Sequence, residues 1–212
     1  MSFFITGTDT GVGKTYVTRL ILQALRDEGR DAVGYKPVAC GDRDDATILS
    51  EASGNLPIEV VNPLYFQTPV APFVAAMLEN TVLDPAKLVE SFRQLASSHQ
   101  TVVVEGAGGW EVPLAPNYRI SDLAAEMGLP IVIVAGNRIG ALNHIILTVR
   151  AIQDRGLTCA GIILNQLEDE MDTAMITNKG VVEDLTGVPL LDHLIHNQDF
   201  LDPEPYLAIG RP

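Results

Sequence analysis

Residues 7–15 read Gly7-Thr8-Asp9-Thr10-Gly11-Val12-Gly13-Lys14-Thr15. The apolar run Phe3-Phe4-Ile5 precedes them, and a helical pattern follows with Val17, Leu20, Ile21, Ala24 and Leu25 on one face. Strand, glycine loop and helix in that order are the context of a phosphate-binding loop. Glycines let the backbone curl until consecutive N–H groups point inward at phosphate oxygens. The following helix adds the positive end of its dipole. In such a loop Lys14 reaches the β- and γ-phosphates and the Thr15 hydroxyl ligates Mg²⁺. The spacing departs from the standard in one place: the first glycine is expected at position 8, where this chain has Thr8, and Gly7 stands one residue earlier. The plain alternative is a glycine-rich turn before an ordinary helix. Gly-Lys-Thr at a helix start behind a strand speaks against it.

Outward from the loop, apolar runs alternate with helical patterns along the whole length. Strands are expected at Ser2–Thr6, Asp31–Lys36, Thr101–Glu105, Pro130–Ala135 and Thr158–Asn165, with a short one near Val188–Leu191. Four of these contain continuously apolar runs, which suit strands covered on both faces, as in a parallel sheet. Between them, Asp84-Pro85 reads as an N-cap with proline at the first helical position, followed by Leu88, Val89, Phe92, Leu95 and Ala96 at helical spacing. Another helix carries Leu142, Ile145, Ile146, Val149 and Ile152 and ends before Gly156. The alternation predicts an α/β fold: a doubly wound, mainly parallel sheet flanked by helices, of the phosphate-loop NTPase type. Ligands of such sheets sit at the carboxyl ends of the strands.

Those strand ends carry the candidate residues. Lys36 closes the second strand, where it can neutralise a phosphate or a carboxylate-like intermediate. Glu105 ends the third, ahead of two glycine-containing turns, and resembles the second acid of a phosphate-loop metal site. Gly106, Ala107 and Gly108 offer backbone N–H groups with little steric hindrance. Asp42, Asp44 and Asp45 precede the helical start Ala46-Thr47-Ile48-Leu49. Asp42 and Asp44 read as caps, whereas Asp45 stays open between cap and metal ligand. Asn165, after the fifth strand, is either an amide reader of an adenine edge or a turn former. His99, His144, His193 and His196 lack metal-ligand spacing with the cysteines. No Gly-x-Ser-x-Gly occurs, so serine nucleophile chemistry has no support.

A chain of 212 residues fits one domain, 1–212, with a sizeable core. Its 47% hydrophobic and 19% charged residues read as globular. A net charge of −13 argues against nucleic acid or an anionic membrane as the main partner. Any polyphosphate must then be held by a local nest, lysines and metal. Cys40 and Cys159 make no disulfide framework, no signal core opens the chain, and no apolar run approaches a bilayer span. A cytoplasmic location is the expectation.

Gly7–Thr15, Gly34-Tyr35-Lys36-Pro37-Val38, Val104-Glu105-Gly106-Ala107-Gly108-Gly109-Trp110 and Asn143-His144 together resemble the dethiobiotin synthetase family. The resemblance runs in order over roughly residues 2–192, and the joint occurrence of the first and third motifs is highly specific. The displaced first glycine belongs to it, because the family's loop has the same form. The resemblance implies a homodimeric, ATP- and Mg²⁺-dependent ligase acting on 7,8-diaminopelargonic acid. One amine takes up CO₂, supplied as bicarbonate, to give a carbamate. ATP phosphorylates the carbamate to a carbamic–phosphoric anhydride, and the second amine closes the ureido ring. Carried over, Thr15, Asp45 and Glu105 become the Mg²⁺ ligands. Gly11, Val12, Gly13, Lys14, Thr15 and Tyr16 form the phosphate cradle, joined in ATP binding by Asp45, Glu105, Gly106, Ala107, Gly108 and the adenine reader Asn165. Lys36 and Lys14 become catalytic. Thr10 and Cys40 meet the substrate, and Gly140, Ala141, Leu142 and Asn143 form a helix start that meets its carboxylate from the neighbouring subunit.

Three stretches depart from the family pattern. Cys40 replaces a serine or threonine, Ala71-Pro72-Phe73 replaces a Ser-Pro-His-like run, and Asp192-His193-Leu194-Ile195 replaces Gly-x-Ile-Pro. Two other readings share the loop and the sheet. One is an amidoligase of corrinoid synthesis, which usually needs a glutaminase domain that 212 residues leave little room for. The other is a nucleotide-switched dimeric ATPase acting on a protein partner, whose loop usually carries a lysine where this chain has Asp9.

Overall fold

The structure, a computed structural model, describes residues 1–209. In chain order its elements are β1 (Ser2–Gly7), α1 (Lys14–Asp27), β2 (Ala32–Tyr35), β3 (Val38–Cys40), α2 (Asp44–Ala52), α3 (Ile58–Val61), β4 (Leu64–Phe66), α4 (Pro72–Leu78), α5 (Pro85–Ser98), β5 (Thr101–Gly109), β6 (Pro113–Ala115), β7 (Tyr118–Arg119), α6 (Ile120–Met127), β8 (Ile131–Gly136), α7 (Ala141–Asp154), β9 (Cys159–Asn165), α8 (Thr173–Thr186), β10 (Leu190–Leu194) and α9 (Glu204–Leu207). Six strands form one sheet in the order β10-β9-β8-β1-β5-β2, and all its pairings are parallel. The predicted doubly wound α/β sheet is the observed one.

Period-2 alternation divides the central strands between two cores. Phe4, Val102, Val104, Ile131 and Ile133 face α5, α6 and α7, in one cluster with Leu88, Leu123 and Ile145. Phe3, Ile5, Val103, Val132 and Val134 face α1, whose Val17, Leu20, Ile21 and Leu25 are fully or almost fully buried. Each such side chain contributes about 1.5–3 kcal/mol by leaving water. The segment 201–209 closes this second face: Leu201, Tyr206 and Ile209 are buried in it, and the Tyr206 ring stacks on Phe3 at 6.5 Å. Two of the predicted helix ends are present, whereas Asp44 is the first helical residue of α2, with Arg43 at the cap position. Asp84 accepts from the Ala86 N–H at 3.1 Å at the start of α5, and α7 ends at Asp154, ahead of Gly156 with φ 71°. Among the described residues, no helix is long and apolar enough to cross a membrane.

Two expected boundaries are corrected. The third strand does not turn after Glu105 but runs as β5 to Gly109. Gly7 pairs with Gly109 while Ile5 pairs with Glu105, so β5 carries extra residues against β1. Such a bulge bends the strand at a site rim without ending it. The last strand is Leu190–Leu194, displaced from the apolar run near Val188–Leu191. β10 is an edge strand, half-buried over most of its length, so Asp192 and His193 can join the ladder.

Candidate active site

The site is built around the turn between β1 and α1. A Cβ on Gly7 would lie 2.6 Å from the Asp9 carbonyl oxygen and 3.0 Å from Lys14 Nζ. The chain therefore needs its glycine here, one residue before the standard position. Gly13 has φ 85°, the left-handed region where a side chain is disfavoured. Lys14 is 7% exposed and donates to the Asp9 carbonyl at 3.3 Å. Burial lowers its pKa to about 8, against the pull of the Glu105 carboxylate.

Beside the loop, Thr15, Lys36, Asp45 and Glu105 form one cluster. The Thr15 hydroxyl donates to Glu105 Oε1 at 2.8 Å. Lys36 Nζ lies 2.6 Å from the same Oε1 and 2.8 Å from Asp45 Oδ2. Glu105 is fully buried, and its Oε2 has no partner. Burial by itself would lower the Lys36 pKa, but the Glu105 and Asp45 carboxylates hold it above the ordinary lysine value. For Asp45, burial pushes upward and the Lys36 ammonium more than offsets it, leaving the carboxyl lowered. The residues fit a hard divalent cation: two carboxylates, a hydroxyl and one buried oxygen left orphaned. Among the described residues no group of three His, Cys, Asp or Glu side chains forms a cation cage. Nucleotide phosphates and water would complete the shell, as suits magnesium.

Two cavities meet over this cluster. One, of about 250 Å³, is lined by Thr10, Gly11, Gly13, Lys14, Thr15, Tyr16, Lys36, Asp45 and Gly108. The other, of about 450 Å³, has Val38, Ala39, Cys40, Pro69, Val70, Ala71, Pro72 and Val112 as its mostly apolar wall. Thr10, Lys36, Asp45 and Gly108 line both. A phosphate held in the first cavity thus borders on a group seated in the second. Burial, with a contribution from Glu79, raises the Cys40 thiol to about 11. At neutral pH it is a small, weakly donating wall element.

The predicted residues are not all brought together. Ala107 and Gly108 line the large cavity, but Gly106 packs inside, where a Cβ would meet Phe4 and Ile120 at 3.0 and 3.2 Å. Asp42, read as a cap, accepts from the Asp44 N–H at 3.3 Å and also lines the large cavity. Asn165 is 3% exposed and donates from Nδ2 to the Val12 carbonyl at 3.0 Å, bracing the loop from behind. Gly140, Ala141, Leu142 and Asn143 open α7, with Gly140 at φ 86°, and line neither cavity.

Other residues escape sequence reasoning. Val112 and Pro69 wall the large cavity from loops without periodicity. Asn178 donates to Asn137 Oδ1 at 2.9 Å and to the Arg138 carbonyl at 3.2 Å, holding the turn into α7. The Tyr16 hydroxyl donates to the Gln198 carbonyl, tying α1 to the segment after β10. None of these has a spacing signal, because their partners are distant in sequence.

The family described as AAA domain matches residues 1–198. A protein of Akkermansia muciniphila named ATP-dependent dethiobiotin synthetase BioD is 48% identical over 207 residues, covering 97% of each chain. Its namesake in Bacillus subtilis strain 168 is 37% identical over 195 residues, covering 89% of this chain and 84% of its own. Among solved structures, the septum site-determining protein MinD from Pyrococcus horikoshii, complexed with Mg-ADP, has a TM-score of 0.60 at 18% identity. That alignment covers 93% of this chain and 82% of MinD. A ParA family ATPase from Chlorobium tepidum also scores 0.60, at 17% identity, over 93% and 85% of the two chains. These two likenesses are of fold.

Proposed function

The chain belongs to the ATP-dependent dethiobiotin synthetase family, and we infer from that premise that it is an ATP-consuming ligase that forms dethiobiotin. The observation that carries the site assignment is the shared wall of the two cavities, Thr10, Lys36, Asp45 and Gly108. A phosphoryl group bound by the loop can pass across it to an acceptor in the mostly apolar cavity.

The acceptor is 7,8-diaminopelargonic acid carrying CO₂ on one amine as a carbamate. Its alkyl chain suits the wall of Val38, Ala39, Val70 and Val112. The Lys36 ammonium balances the carbamate oxygens, with Thr10 and Cys40 beside it. The loop amides and Lys14 hold the nucleotide phosphates, in the cradle from Gly11 to Tyr16 with Gly108. A carbamate oxygen attacks the γ-phosphorus of ATP, the bond to the β-phosphate oxygen breaks and ADP leaves, giving the carbamic–phosphoric anhydride. The second amine then bonds to the carbonyl carbon, the C–O bond to phosphate breaks, and the amine's proton leaves with solvent or phosphate. Every intermediate is anionic, so cations and amide dipoles suffice where another reaction would need an acid–base pair. Thr15, Asp45 and Glu105 would hold Mg²⁺, which supplies charge neutralisation for the phosphates when bound. Asn165 is carried over as the adenine reader, standing behind Gly13 with its Nδ2 held by the Val12 carbonyl. Gly106 contributes by letting β5 pack closely.

The enzyme works as a homodimer in which the Gly140–Asn143 helix start serves the other subunit's cavity. Three features support this: the helix start lines neither cavity of its own subunit, Asn143 is exposed, and Ile139 beside it is 81% exposed. Residues 1–212 act as one ATP-binding unit. The free thiols of Cys40 and Cys159 suit the cytoplasm.

The test is ADP release from ATP, Mg²⁺ and bicarbonate, with and without the diamine, together with mass detection of the product. Diamine-dependent ADP release with stoichiometric dethiobiotin supports the reading. ADP release indifferent to the diamine, with no dethiobiotin formed, refutes it.

A further inference from the structure

We propose that the Lys36 ammonium is the resident counter-ion of Asp45 and Glu105, and that a divalent cation displaces it into the substrate cavity. The inference rests on the metal set and the cavity assigned above. Nζ sits 2.6 Å from Glu105 Oε1 and 2.8 Å from Asp45 Oδ2, on the oxygens a cation would use. An ammonium donating to these lone pairs and a cation bound through them compete for the same electrons, and at such separations they repel. Glu105 is fully buried, so its charge needs a partner whenever no metal is bound. Its Oε2 is still unpartnered, which leaves a strong incentive for a second, larger charge to enter.

The backbone of Lys36 is fixed while its side chain has somewhere to go. Its N–H donates to the Val61 carbonyl at 2.7 Å, and its own carbonyl accepts from Asn62 Nδ2 at 2.8 Å. Lys36 lines the 450 Å³ cavity, so the exchange is a side-chain rotation about an anchored Cα. Before metal arrives, the charge that should meet the carbamate is engaged by carboxylates. After it arrives, the ammonium faces the cavity. Metal binding and presentation of the catalytic lysine are thereby one event.

Mn²⁺ titration of the nucleotide-free protein, with free Mn²⁺ read by electron paramagnetic resonance, tests this. Lys36→Met should bind Mn²⁺ roughly tenfold or more tightly than the unmodified chain, because no cation has to be displaced and the buried Glu105 carboxylate, with the half-exposed Asp45 beside it, stands uncompensated. Adding Glu105→Gln should abolish that gain. Equal or weaker binding by Lys36→Met, with Glu105→Gln still weakening Mn²⁺ in the unmodified background, overturns the exchange and leaves the metal set standing. If Glu105→Gln changes Mn²⁺ binding in neither background, metal set and exchange fall together. A second measurement avoids any folding defect of the variants. Reductive methylation of the unmodified protein should modify Lys36 several-fold faster with saturating Mg²⁺ than without. An unchanged or slower rate overturns the exchange.

Discussion

Replacing Gly13 by alanine perturbs the loop at a point where two forces can be separated. Gly13 has φ 85°, so the new residue must adopt a left-handed conformation, at about 1–2 kcal/mol. Its Cβ would also stand 2.2 Å from Asn165 Nδ2, with Leu167 Cδ2 only 3.5 Å away. Asn165 is buried and must give up its 3.0 Å bond to the Val12 carbonyl, a further loss of about 0.5–1.5 kcal/mol. The sum is about 1.5–3.5 kcal/mol, read as a lower urea midpoint at constant slope. Gly29→Ala is the control: its φ is 73° and nothing lies within 4 Å of the added Cβ, so only the conformational part remains. In an Asn165→Ala background the Gly13→Ala loss should shrink to the Gly29→Ala value, since the clash is gone. Nucleotide affinity should fall in Gly13→Ala and hold in Gly29→Ala. If Gly13→Ala loses no more stability than Gly29→Ala, or if the Asn165→Ala background leaves its loss unchanged, the bracing of the loop by Asn165 is wrong.

Lys36→Gln should reduce turnover by a factor on the order of 10²–10³ while ATP still binds, because Lys14 and the loop amides remain. Unaltered turnover in a steady-state assay would make the lysine structural. In the proposed dimer, Asn143→Asp would place a negative charge beside the substrate carboxylate, so KM for the diamine should rise with nucleotide affinity unchanged. Mixed with Lys14→Ala chains it should regain one working site of two per hybrid dimer. Hybrids that form without rescue, or a fully active monomer, rule out shared sites. Burial brings the Lys14 pKa down to about 8. Bound phosphates favour its charged form, so above about pH 8 nucleotide binding must take up a proton. Affinity should then drop as pH rises, by up to about tenfold per unit. Calorimetry in buffers of different ionisation enthalpy should detect the uptake, and Lys14→Met should remove it. A pH-independent affinity between 8 and 10 would contradict the depressed pKa.

What could be read from the sequence is what local chemistry encodes. The loop from Gly7 to Thr15, the continuously apolar strands and the helix faces depend on neighbours a few residues away. Their periodicities therefore stood out and led to the doubly wound sheet. Lys36, Asp45 and Glu105 could be named singly as strand-end or helix-start residues, because the carboxyl edge of a parallel sheet gathers its ligands there. That they share one pair of contacts could not be read, since 69 residues separate Lys36 from Glu105. Only the placement of β2 beside β5 brings them within hydrogen-bonding reach. The continuation of β5 through glycines was hidden for a related reason. Glycine signals a turn when read alone, and only the close partner strand at Gly7 turns it into a bulged strand. The roles of Asn165, Gly106, Val112 and the Tyr16–Gln198 tie were decided by packing between distant segments, which leaves no period in the chain. Residue types along the chain state which chemistry is available, and the fold settles which groups touch, because contact distance does not follow from spacing along the backbone.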